Sequence, residues 1–365
     1  MKIVAIIPNL LSGGAQRVIL NLANEWVRLG HSVKVLSGET DESISALFDP
    51  RVELVFYRVT RLREWFWILF RFFNRENFDV AFLNMWPLTT IGTLAWTFNR
   101  RRNKVFLVEH TTLSRHIQCD MPTPMWMARL LIFISHRIAS GVVAVSNGVK
   151  LDLIKLGALE SRVRVIYNPV IPSPLVIDER ECANQNPLNW KRETGIKLLA
   201  VGALVPSKCF DLLIAAVCTL NRDTAVSLTI LGDGPLKGFL QMLVDQLGLS
   251  DVVFLAGNVE DPIPWYRAAD MTVVSSNLEG FGNVIVESLS VGTPVVSTNC
   301  QSGPSEILAD GRYGILVDVN SSVALERGIR KALIHRWEED LLIKRSEDFS
   351  ARERALDYLN YFQDK

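Results

Sequence analysis

Short apolar runs alternate with amphipathic segments along most of this chain. The apolar runs are four to seven residues long, and the segments between them carry apolar residues at helical spacing. This alternation is typical of a parallel sheet with helices on both faces. It is interrupted over 168–195, which contains four prolines and little periodic apolar pattern. The sequence therefore predicts two doubly wound α/β domains joined by a linker.

The length of 365 residues suits two domains of ordinary size. We place the first domain at 1–168, the linker at 169–195, the second domain at 196–349 and a last helical segment at 350–365. The predicted strands lie at 3–7, 33–36, 52–57, 79–83, 105–109, 141–145, 163–167, 198–202, 227–231, 252–255, 271–274, 294–297 and 314–317. The predicted helices lie at 15–29, 62–75, 88–99, 124–138, 147–156, 209–220, 235–247, 261–268, 282–290, 303–308, 322–334 and 350–363.

The net charge of zero hides an uneven distribution. Residues 1–170 contain 21 basic and 13 acidic residues, and the remainder contains 18 basic and 26 acidic residues. A basic front half favours an anionic partner, either a phosphate-bearing acceptor or a membrane surface. We expect no nucleic-acid partner, because no nucleic-acid-binding module is recognisable.

The cysteines and the N-terminus indicate a compartment. The five cysteines are scattered, without the spacing of a metal site, and we expect reduced thiols in a cytosolic protein. The apolar start of the chain stops at Pro8, too early for a secretion signal. No stretch approaches the roughly 20 apolar residues that a membrane span needs.

A pair of carboxylates frames the most informative segment. Glu279 follows a predicted strand and Glu287 lies in the next predicted helix, with two glycines at the turn between them. Exposed backbone N–H groups and the helix dipole at such a turn attract anions. Carboxylates beside an anion site suit vicinal hydroxyls. A phosphate flanked by two polyols is a nucleotide sugar, which is the ligand that we predict.

The run Glu279-Gly280-Phe281-Gly282-Asn283-Val284-Ile285-Val286-Glu287 resembles the Glu-x7-Glu motif of the family-4 retaining glycosyltransferases of the GT-B fold. The later run Gly292-Thr293-Pro294-Val295-Val296 strengthens the resemblance, which covers nearly the whole chain and is most specific over 198–318. It implies two Rossmann-like domains that face each other across a cleft, with the segment 350–365 packed back on the first. It implies that Glu279 faces the donor sugar and that Glu287 holds the nucleotide ribose. The donor-binding residues implied are Gly14, Lys208, Asn258, Val259, Glu279, Phe281, Gly282, Asn283, Val284 and Glu287.

Lys208 lies between a buried strand and a helix, in a segment similar to the family's Gly-Arg-Leu-x-x-x-Lys stretch. A fixed ammonium there would stabilise the negative charge of a leaving nucleotide diphosphate. Ala203 stands where the family usually has a diphosphate-binding arginine. Either another basic group substitutes, with Arg312 as a candidate, or the pocket depends on backbone N–H groups. A solvated lysine at the start of a helix is the alternative interpretation of Lys208.

The first domain offers its own candidates at strand ends. Gly14 belongs to the turn Ser12-Gly13-Gly14-Ala15-Gln16, which follows the first strand and opens the first helix. His110 ends another strand, where the family carries a histidine near the hydroxyls of the donor sugar. Glu109 beside it is a second candidate polar contact. The resemblance makes Lys208, Glu279 and His110 the candidate catalytic residues. It also implies that backbone groups of the Asn258–Val259 loop read the base.

The segment 61–75 mixes arginine with tryptophan and phenylalanine. It is too short to span a bilayer, but such a helix can lie in a membrane interface. A buried packing helix is the alternative, because its apolar residues are not confined to one stripe. A second exposed-apolar candidate is 121–133, with Trp126 and Met127. The candidate membrane contacts are Arg61, Arg63, Trp65, Trp67, Arg71 and Arg75.

These observations predict transfer of a hexose or N-acetylhexosamine from a nucleotide-diphosphate sugar to an acceptor hydroxyl. The resemblance implies retention at the anomeric carbon and no metal or other cofactor, and the sequence has no Asp-x-Asp metal motif. We expect a uridine-diphosphate donor, with guanosine-diphosphate mannose second, and a polyprenyl-diphosphate-linked or polysaccharide acceptor. A bacterial lipopolysaccharide, capsule or lipid-linked oligosaccharide pathway fits, at the inner face of the plasma membrane. Two alternatives stay open: a nucleotide-sugar 2-epimerase on the same fold, and a non-catalytic sugar-nucleotide-binding protein.

Overall fold

The computed structural model describes residues 1–11, 13–98, 103–120, 123–172 and 195–365. The chain divides into two compact units, one made of 1–173 with 349–365 and the other of 174–348. Most of the predicted linker, 169–195, lies outside the described residues. Its first residues belong to the first unit, where Val170 donates a backbone hydrogen bond to Phe349.

The first unit is built on a parallel sheet with seven strands in the order β5-β3-β1-β6-β7-β8-β9. Its strands are β1 (Lys2–Ile6), β2 (Asn9–Leu10), β3 (Ser32–Ser37), β4 (Glu39–Thr40), β5 (Glu53–Phe56), β6 (Val80–Asn84), β7 (Lys104–Glu109), β8 (Gly141–Ala144) and β9 (Val163–Val165). Its helices before the linker are α1 (Gly14–Arg28), α2 (Glu42–Ser45), α3 (Leu62–Arg75), α4 (Leu88–Thr97), α5 (Leu113–Asp120), α6 (Met125–Ile138) and α7 (Asn147–Lys155). The strand order changes direction between β1 and β6. In open α/β sheets, ligands bind at the carboxyl ends of the strands beside such a switch.

The second unit repeats the design with six parallel strands in the order β12-β11-β10-β13-β14-β15. The strands are β10 (Ile196–Val201), β11 (Val226–Leu231), β12 (Val253–Gly257), β13 (Met271–Val274), β14 (Val295–Thr298) and β15 (Ile315–Val317). The helices are α8 (Phe210–Leu220), α9 (Lys237–Gln246), α10 (Ile263–Ala268), α11 (Asn283–Leu289), α12 (Pro304–Ile307), α13 (Ser322–Ile334) and α14 (Glu339–Glu347). Here the order changes direction between β10 and β13. The inner strands of both large sheets, such as β6 and β11, are buried on both faces because helices cover them, whereas the edge strand β5 is partly exposed.

The last helix, α15 (Ala351–Asp364), belongs to the first unit. The indole N–H of Trp26 on α1 donates to the carbonyl of Ala355 at 3.1 Å. The ring of Phe362 lies 4.7 Å from the ring of Phe106 on β7. Because both Trp26 and Phe362 are almost fully buried, α15 contributes directly to the core of this unit.

The predicted fold class, two doubly wound α/β domains, is confirmed. Every predicted strand is present with bounds within two residues, and so is every predicted helix as far as the described residues extend. The sequence analysis did not predict the helices α2, α5 and α14 or the two-residue strands β2 and β4. Among the described residues, no helix is long and apolar enough to cross a bilayer.

Candidate functional site

The second unit places Lys208 and Glu279 in direct contact beside its switch point. Lys208 ends a short 3-10 turn, Pro206–Lys208, which follows β10, and Glu279 lies in the loop after β13. The two strands are neighbours in the sheet, so their carboxyl ends bring the residues together. The Lys208 Nζ atom lies 2.5 Å from Glu279 Oε1, with the side chains 20% and 10% exposed. The pair is therefore largely screened from water but still open to a ligand.

Neighbouring serines hold this ion pair in place. The hydroxyl of Ser276 donates to Glu279 Oε1 at 2.7 Å, and that of Ser302 donates to the Glu279 carbonyl at 2.6 Å. The hydroxyl of Ser275 donates to the Lys208 carbonyl at 2.6 Å. All three serines are almost fully buried. Side chains fixed by such partners lose little freedom when they bind a ligand.

Glycines bring the two turns of the site into close contact. Gly282 has a φ of 102°, in the left-handed region, and α11 begins directly after it. Gly303 has a φ of 92°, and an added Cβ there would lie 1.7 Å from the carbonyl oxygen of Phe281. Phe281 itself is 2% exposed. Phe281 therefore packs inside the unit, and any contact it makes with a donor is through its backbone.

Glu287 lies on α11 and is held by a buried tyrosine. The phenol O–H of Tyr266 on α10 donates to Glu287 Oε2 at 2.8 Å, and Tyr266 is fully buried. Val259, in the loop after β12, packs against the apolar cluster that contains Tyr266. Asn258 beside it is exposed. The structure thus connects the predicted ribose carboxylate and the predicted base-reading loop through one cluster.

Ala203 and Arg312, the candidate replacement for the arginine that the family has at position 203, both lie on the surface. Ala203 is exposed in the turn after β10. The guanidinium of Arg312 stacks over the ring of Tyr313, 5.3 Å from its centre, and the ion pair of Lys208 is with Glu279. No contact among the described residues brings Arg312 to the Lys208–Glu279 pair, so the structure gives no support for Arg312 as the substitute for the missing arginine.

A buried thiol also lies beside the ion pair. Burial and then the nearby carboxylate of Glu279 raise the pKa of Cys300 to about 12. The thiol is therefore neutral at physiological pH. Lys208 and Glu279 carry the local charge.

In the first unit, His110 follows β7 and contacts the end of β6. Its Nε2 lies 3.1 Å from Asn84 Oδ1, while the amide nitrogen of Asn84 donates to the carbonyl of Ile6. The Asn84 oxygen is thus an acceptor, so His110 carries its proton on Nε2. Burial lowers the pKa of His110 to about 4, and its buried Nδ1 has no partner in the described residues. This nitrogen is therefore a buried acceptor to which no described donor is bonded.

Glu109 does not fit the role of a ligand contact. Its side chain is fully buried, where Oε1 accepts from the hydroxyl of Thr89 at 2.8 Å and Oε2 accepts from the backbone N–H of Trp86 at 3.2 Å. His136, also fully buried, lies 3.8 Å from Glu109 Oε1. The interpretation of Glu109 as a second polar contact was wrong, because the side chain turns inward to α4 and α6.

The glycine turn after β1 has the predicted local structure. Helix α1 begins at Gly14, with Gly13 as the residue before it. Gln16 is buried in the first turn, and its amide donates to Asn9 Oδ1 at 2.8 Å. Ser12, the first residue of the predicted turn, lies outside the described residues. Gly14 is therefore at a helix start beside the switch point of its own sheet.

The candidate membrane contacts on α3 divide into two groups. Trp65 is 2% exposed and packs edge-on against Tyr57, so its assignment as a membrane contact was wrong. Trp67 is 60% exposed. The arginines of this segment are exposed as well: Arg61, Arg63, Arg71 and Arg75.

Several residues of the site were not predicted from the sequence. Ser276, Tyr266 and Asn84 each hold a predicted residue. The position of Ser276 at the carboxyl end of a strand could have indicated it. Nothing in the sequence around Tyr266 distinguishes it from an ordinary core tyrosine.

Two family models match the chain and divide it as the fold does. The model described as Glycosyltransferase Family 4 matches residues 12–173, and the model described as Glycosyl transferases group 1 matches residues 184–353.

A curated relative and several solved structures are also similar to this chain. A curated relative from Campylobacter jejuni, the N-acetylgalactosamine-N,N'-diacetylbacillosaminyl-diphospho-undecaprenol 4-alpha-N-acetylgalactosaminyltransferase, is 28% identical over 65% of this chain and 64% of its own length. The chain therefore spans less than two thirds of this relative. A glycosyltransferase structure from Rickettsia africae has a TM-score of 0.80 at 18% identity, over 100% of this chain and 98% of that one. Anabaena HepE, solved with UDP and glucose, has a TM-score of 0.73 at 21% identity over the same shares. The solved structures show a shared fold, that of the GT-B glycosyltransferases. The two family models together match most of the chain, which therefore belongs to the family 4, group 1 glycosyltransferases.

Proposed function

We propose that this protein is a retaining glycosyltransferase. It transfers a hexose or N-acetylhexosamine from a nucleotide-diphosphate sugar to a hydroxyl of a lipid-linked or polysaccharide acceptor. The observation that carries the proposal is the contact of Lys208 with Glu279 at a strand-order switch, with Glu287 on the helix that follows. Cation, sugar-facing carboxylate and ribose-facing carboxylate are thus held within one unit.

Lys208 and Glu279 can exchange their contact with each other for contacts with a bound nucleotide sugar. A diphosphate would draw the ammonium of Lys208 toward its oxygens, and sugar hydroxyls would donate to the carboxylate of Glu279. Each group then replaces one charged or polar partner with another, so neither is left buried and unpaired. As the bond to the leaving diphosphate breaks, the fixed ammonium stabilises the charge that develops.

The first unit supplies a neutral acceptor. With Nε2–H committed to Asn84, the Nδ1 of His110 can accept from a sugar hydroxyl. Its lowered pKa keeps the imidazole uncharged at physiological pH, so it would orient a hydroxyl as a neutral acceptor. In a retaining reaction on one face of the sugar, the leaving phosphate itself serves as the base. No protein nucleophile is required.

The printed names of similar proteins support the choice of donor and acceptor. Anabaena HepE was solved with UDP and glucose, which favours a uridine-diphosphate donor. The Campylobacter jejuni relative is named for a diphospho-undecaprenol-linked acceptor, which favours a lipid-linked acceptor at the inner face of a bacterial plasma membrane. A lipid-linked precursor of a capsule or of lipopolysaccharide would offer the same kind of acceptor hydroxyl. Guanosine-diphosphate mannose is the second donor to test.

The decisive experiment is a donor panel scored by nucleotide release from the purified protein. UDP-glucose, UDP-galactose, their N-acetylamino counterparts and GDP-mannose are each incubated with and without acceptor extract. We expect release with at least one donor. Lys208→Ala should lower turnover by at least roughly tenfold, because one electrostatic donor to the leaving group is lost. Lys331→Ala, an exposed lysine on α13, is the matched control and should turn over at the wild-type rate.

The same assay separates the rival outcomes. Epimerised sugar nucleotide formed without acceptor would show that the protein is a 2-epimerase rather than a transferase. Donor binding in calorimetry with no turnover on any donor and acceptor would leave a binding protein. Anomeric inversion in the product would overturn retention, and loss of activity in a chelator that added Mg²⁺ restores would overturn metal independence.

A further inference from the structure

Helix α6 of the first unit carries an apolar face that points to solvent. Trp126 is 70% exposed, Leu130 50%, Phe133 42% and Ile134 36%. A tryptophan exposed to this extent is unusual, and the spacing of these four large apolar side chains puts them on one face of the helix. The opposite side of the helix is buried against the unit. The exposed apolar side chains therefore lie on the solvent side of a helix that already has a separate core-facing side.

Arginines lie on the same face. At helical spacing, Arg129 and Arg137 fall beside the exposed apolar residues, and both are exposed. The guanidinium of Arg137 lies over the ring of Phe133, 4.1 Å from its centre. Residues 125–138 contain no acidic side chain. The face therefore combines apolar surface with positive charge alone.

The face continues into a basic, aromatic layer. Helix α4 packs against both α3 and α6, so the three helices form one layer of the first unit. Trp67 on α3 and Phe98 after α4 are 60% and 63% exposed. The exposed arginines of α3 belong to the same layer. The first unit as a whole has eight more basic than acidic residues.

We propose that the exposed face of α6 docks on a bilayer surface rich in anionic lipid. Tryptophan and phenylalanine enter the headgroup boundary while arginines meet the phosphates, which is how interfacial helices bind. A second copy of this chain fits less well, because a two-fold contact of this face would gather the arginines of both copies in one interface, and α6 offers no acidic side chain to pair with them. The proposal stands on the first unit and does not require the donor site.

The test is sedimentation with sucrose-loaded vesicles. One set contains equal parts of phosphatidylglycerol and phosphatidylcholine, and the other contains phosphatidylcholine alone. We expect binding to the anionic set only, lowered at least about fivefold by Trp126→Gln with Leu130→Gln. Arg129→Gln with Arg137→Gln should also weaken binding and reduce its salt dependence, which the arginines of α3 would keep in part.

The matched control changes an exposed apolar pair elsewhere. Phe239 and Met242 on α9 are 49% and 58% exposed, and Phe239→Gln with Met242→Gln should sediment like the wild type. Equal unfolding midpoints show that the variants are folded. Wild-type binding by the α6 variant would overturn the proposal, and so would equal affinity for both vesicle sets. A wild-type dimer that this variant converts to a monomer would also overturn it, in favour of self-association. Vesicle binding does not depend on nucleotide release, so its failure is distinct from failure of the proposed function.

Discussion

Single side chains decide how a nucleotide would be held in the second unit. Glu287 is positioned by the buried phenol of Tyr266 rather than by solvent. We expect Glu287→Ala to weaken UDP binding by about 2 kcal/mol, since two hydroxyl hydrogen bonds are lost at about 1 kcal/mol each. In titration calorimetry this is roughly thirtyfold in Kd. Glu347→Ala, an exposed carboxylate at the end of α14, is the control.

The ribose role has a sharper signature than lost affinity. The wild type should bind UDP more tightly than its 2'-deoxy analogue, and the Glu287→Ala variant should bind the two alike. Tyr266→Phe keeps the carboxylate of Glu287 and removes the hydroxyl that donates to it, so its loss of UDP affinity should be smaller than that of Glu287→Ala. Equal UDP affinity for wild type and Glu287→Ala would remove the ribose assignment.

Buried ionisable groups of the first unit predict a pH dependence of stability. Burial raises the pKa of Glu109 from 4.5 to about 7. Between these pH values the folded state binds more protons than the unfolded state, so this group makes stability fall as pH rises. Burial lowers the pKa of His136 from 6.5 to about 4, and its contribution has the opposite sign.

The variant Glu109→Gln isolates the carboxyl from the histidine. It should gain stability relative to the wild type by on the order of 2 to 3 kcal/mol as pH rises from about 4.5 to about 7.5. Urea unfolding at several pH values measures the difference. Parallel stability curves for the two proteins would show that Glu109 has an ordinary pKa.

Which site residues a sequence can reveal depends on what fixes their positions. Lys208 and Glu279 follow strands, and adjacent parallel strands end at the same edge, so their proximity follows from topology. Tyr266 reaches Glu287 only because two helices pack at a particular angle, which local sequence does not encode. Glu109 shows the converse: its place at a strand end was correct, but alternation turned the side chain into the core.

At the scale of elements, the contact between two turns holds the site together. Gly303 and Gly248 both have positive φ, 92° and 66°. At Gly248 an added Cβ would meet nothing within 4 Å, whereas at Gly303 it would strike the Phe281 carbonyl. We expect Gly248→Ala to cost about 1 kcal/mol from backbone strain alone. Gly303→Ala should cost at least about 3 kcal/mol or displace the turn, and it should abolish UDP binding in calorimetry. Equal losses for the two variants would contradict a role for the close approach.

Two of the helices missing from the sequence prediction, α5 and α14, share a physical cause. Helix α5 has few apolar residues, and its start is fixed by Asp152 on α7, which accepts the backbone N–H of Ser114 at 3.0 Å. Helix α14 is fixed by Arg345, whose guanidinium donates to the carbonyls of Ile307 and Glu306. Both helices depend on distant partners rather than on a periodic apolar stripe. The strands of the two large sheets have strong local patterns, which is why all of them were predicted, whereas the two-residue strands β2 and β4 were not.

For the whole molecule, the chain ends in the unit where it begins. Helix α15 lies about 180 residues beyond the rest of its unit, after the entire second unit. Periodicity predicted the helix, and only the family resemblance indicated where it packs. The ring of Phe362 on this helix packs against Trp26 on α1, Phe82 on β6 and Phe106 on β7. The stability of the first unit therefore depends on residues that follow the whole second unit in the sequence.

This dependence predicts different responses to one core substitution. Phe362 is 1% exposed and its ring lies close to those of Phe106, Trp26 and Tyr358. Phe362→Ala should lower the free energy of unfolding of the first unit by about 3 to 5 kcal/mol, since a large cavity is left. Phe239→Ala, at a half-exposed position on α9, is the control and should cost far less. At a temperature where the Phe362→Ala protein is still folded, its Kd for UDP should stay within about twofold of wild type, because every donor-binding residue of the second unit lies outside α15. Loss of UDP binding under those conditions would mean that α15 supports the donor site as well as its own core.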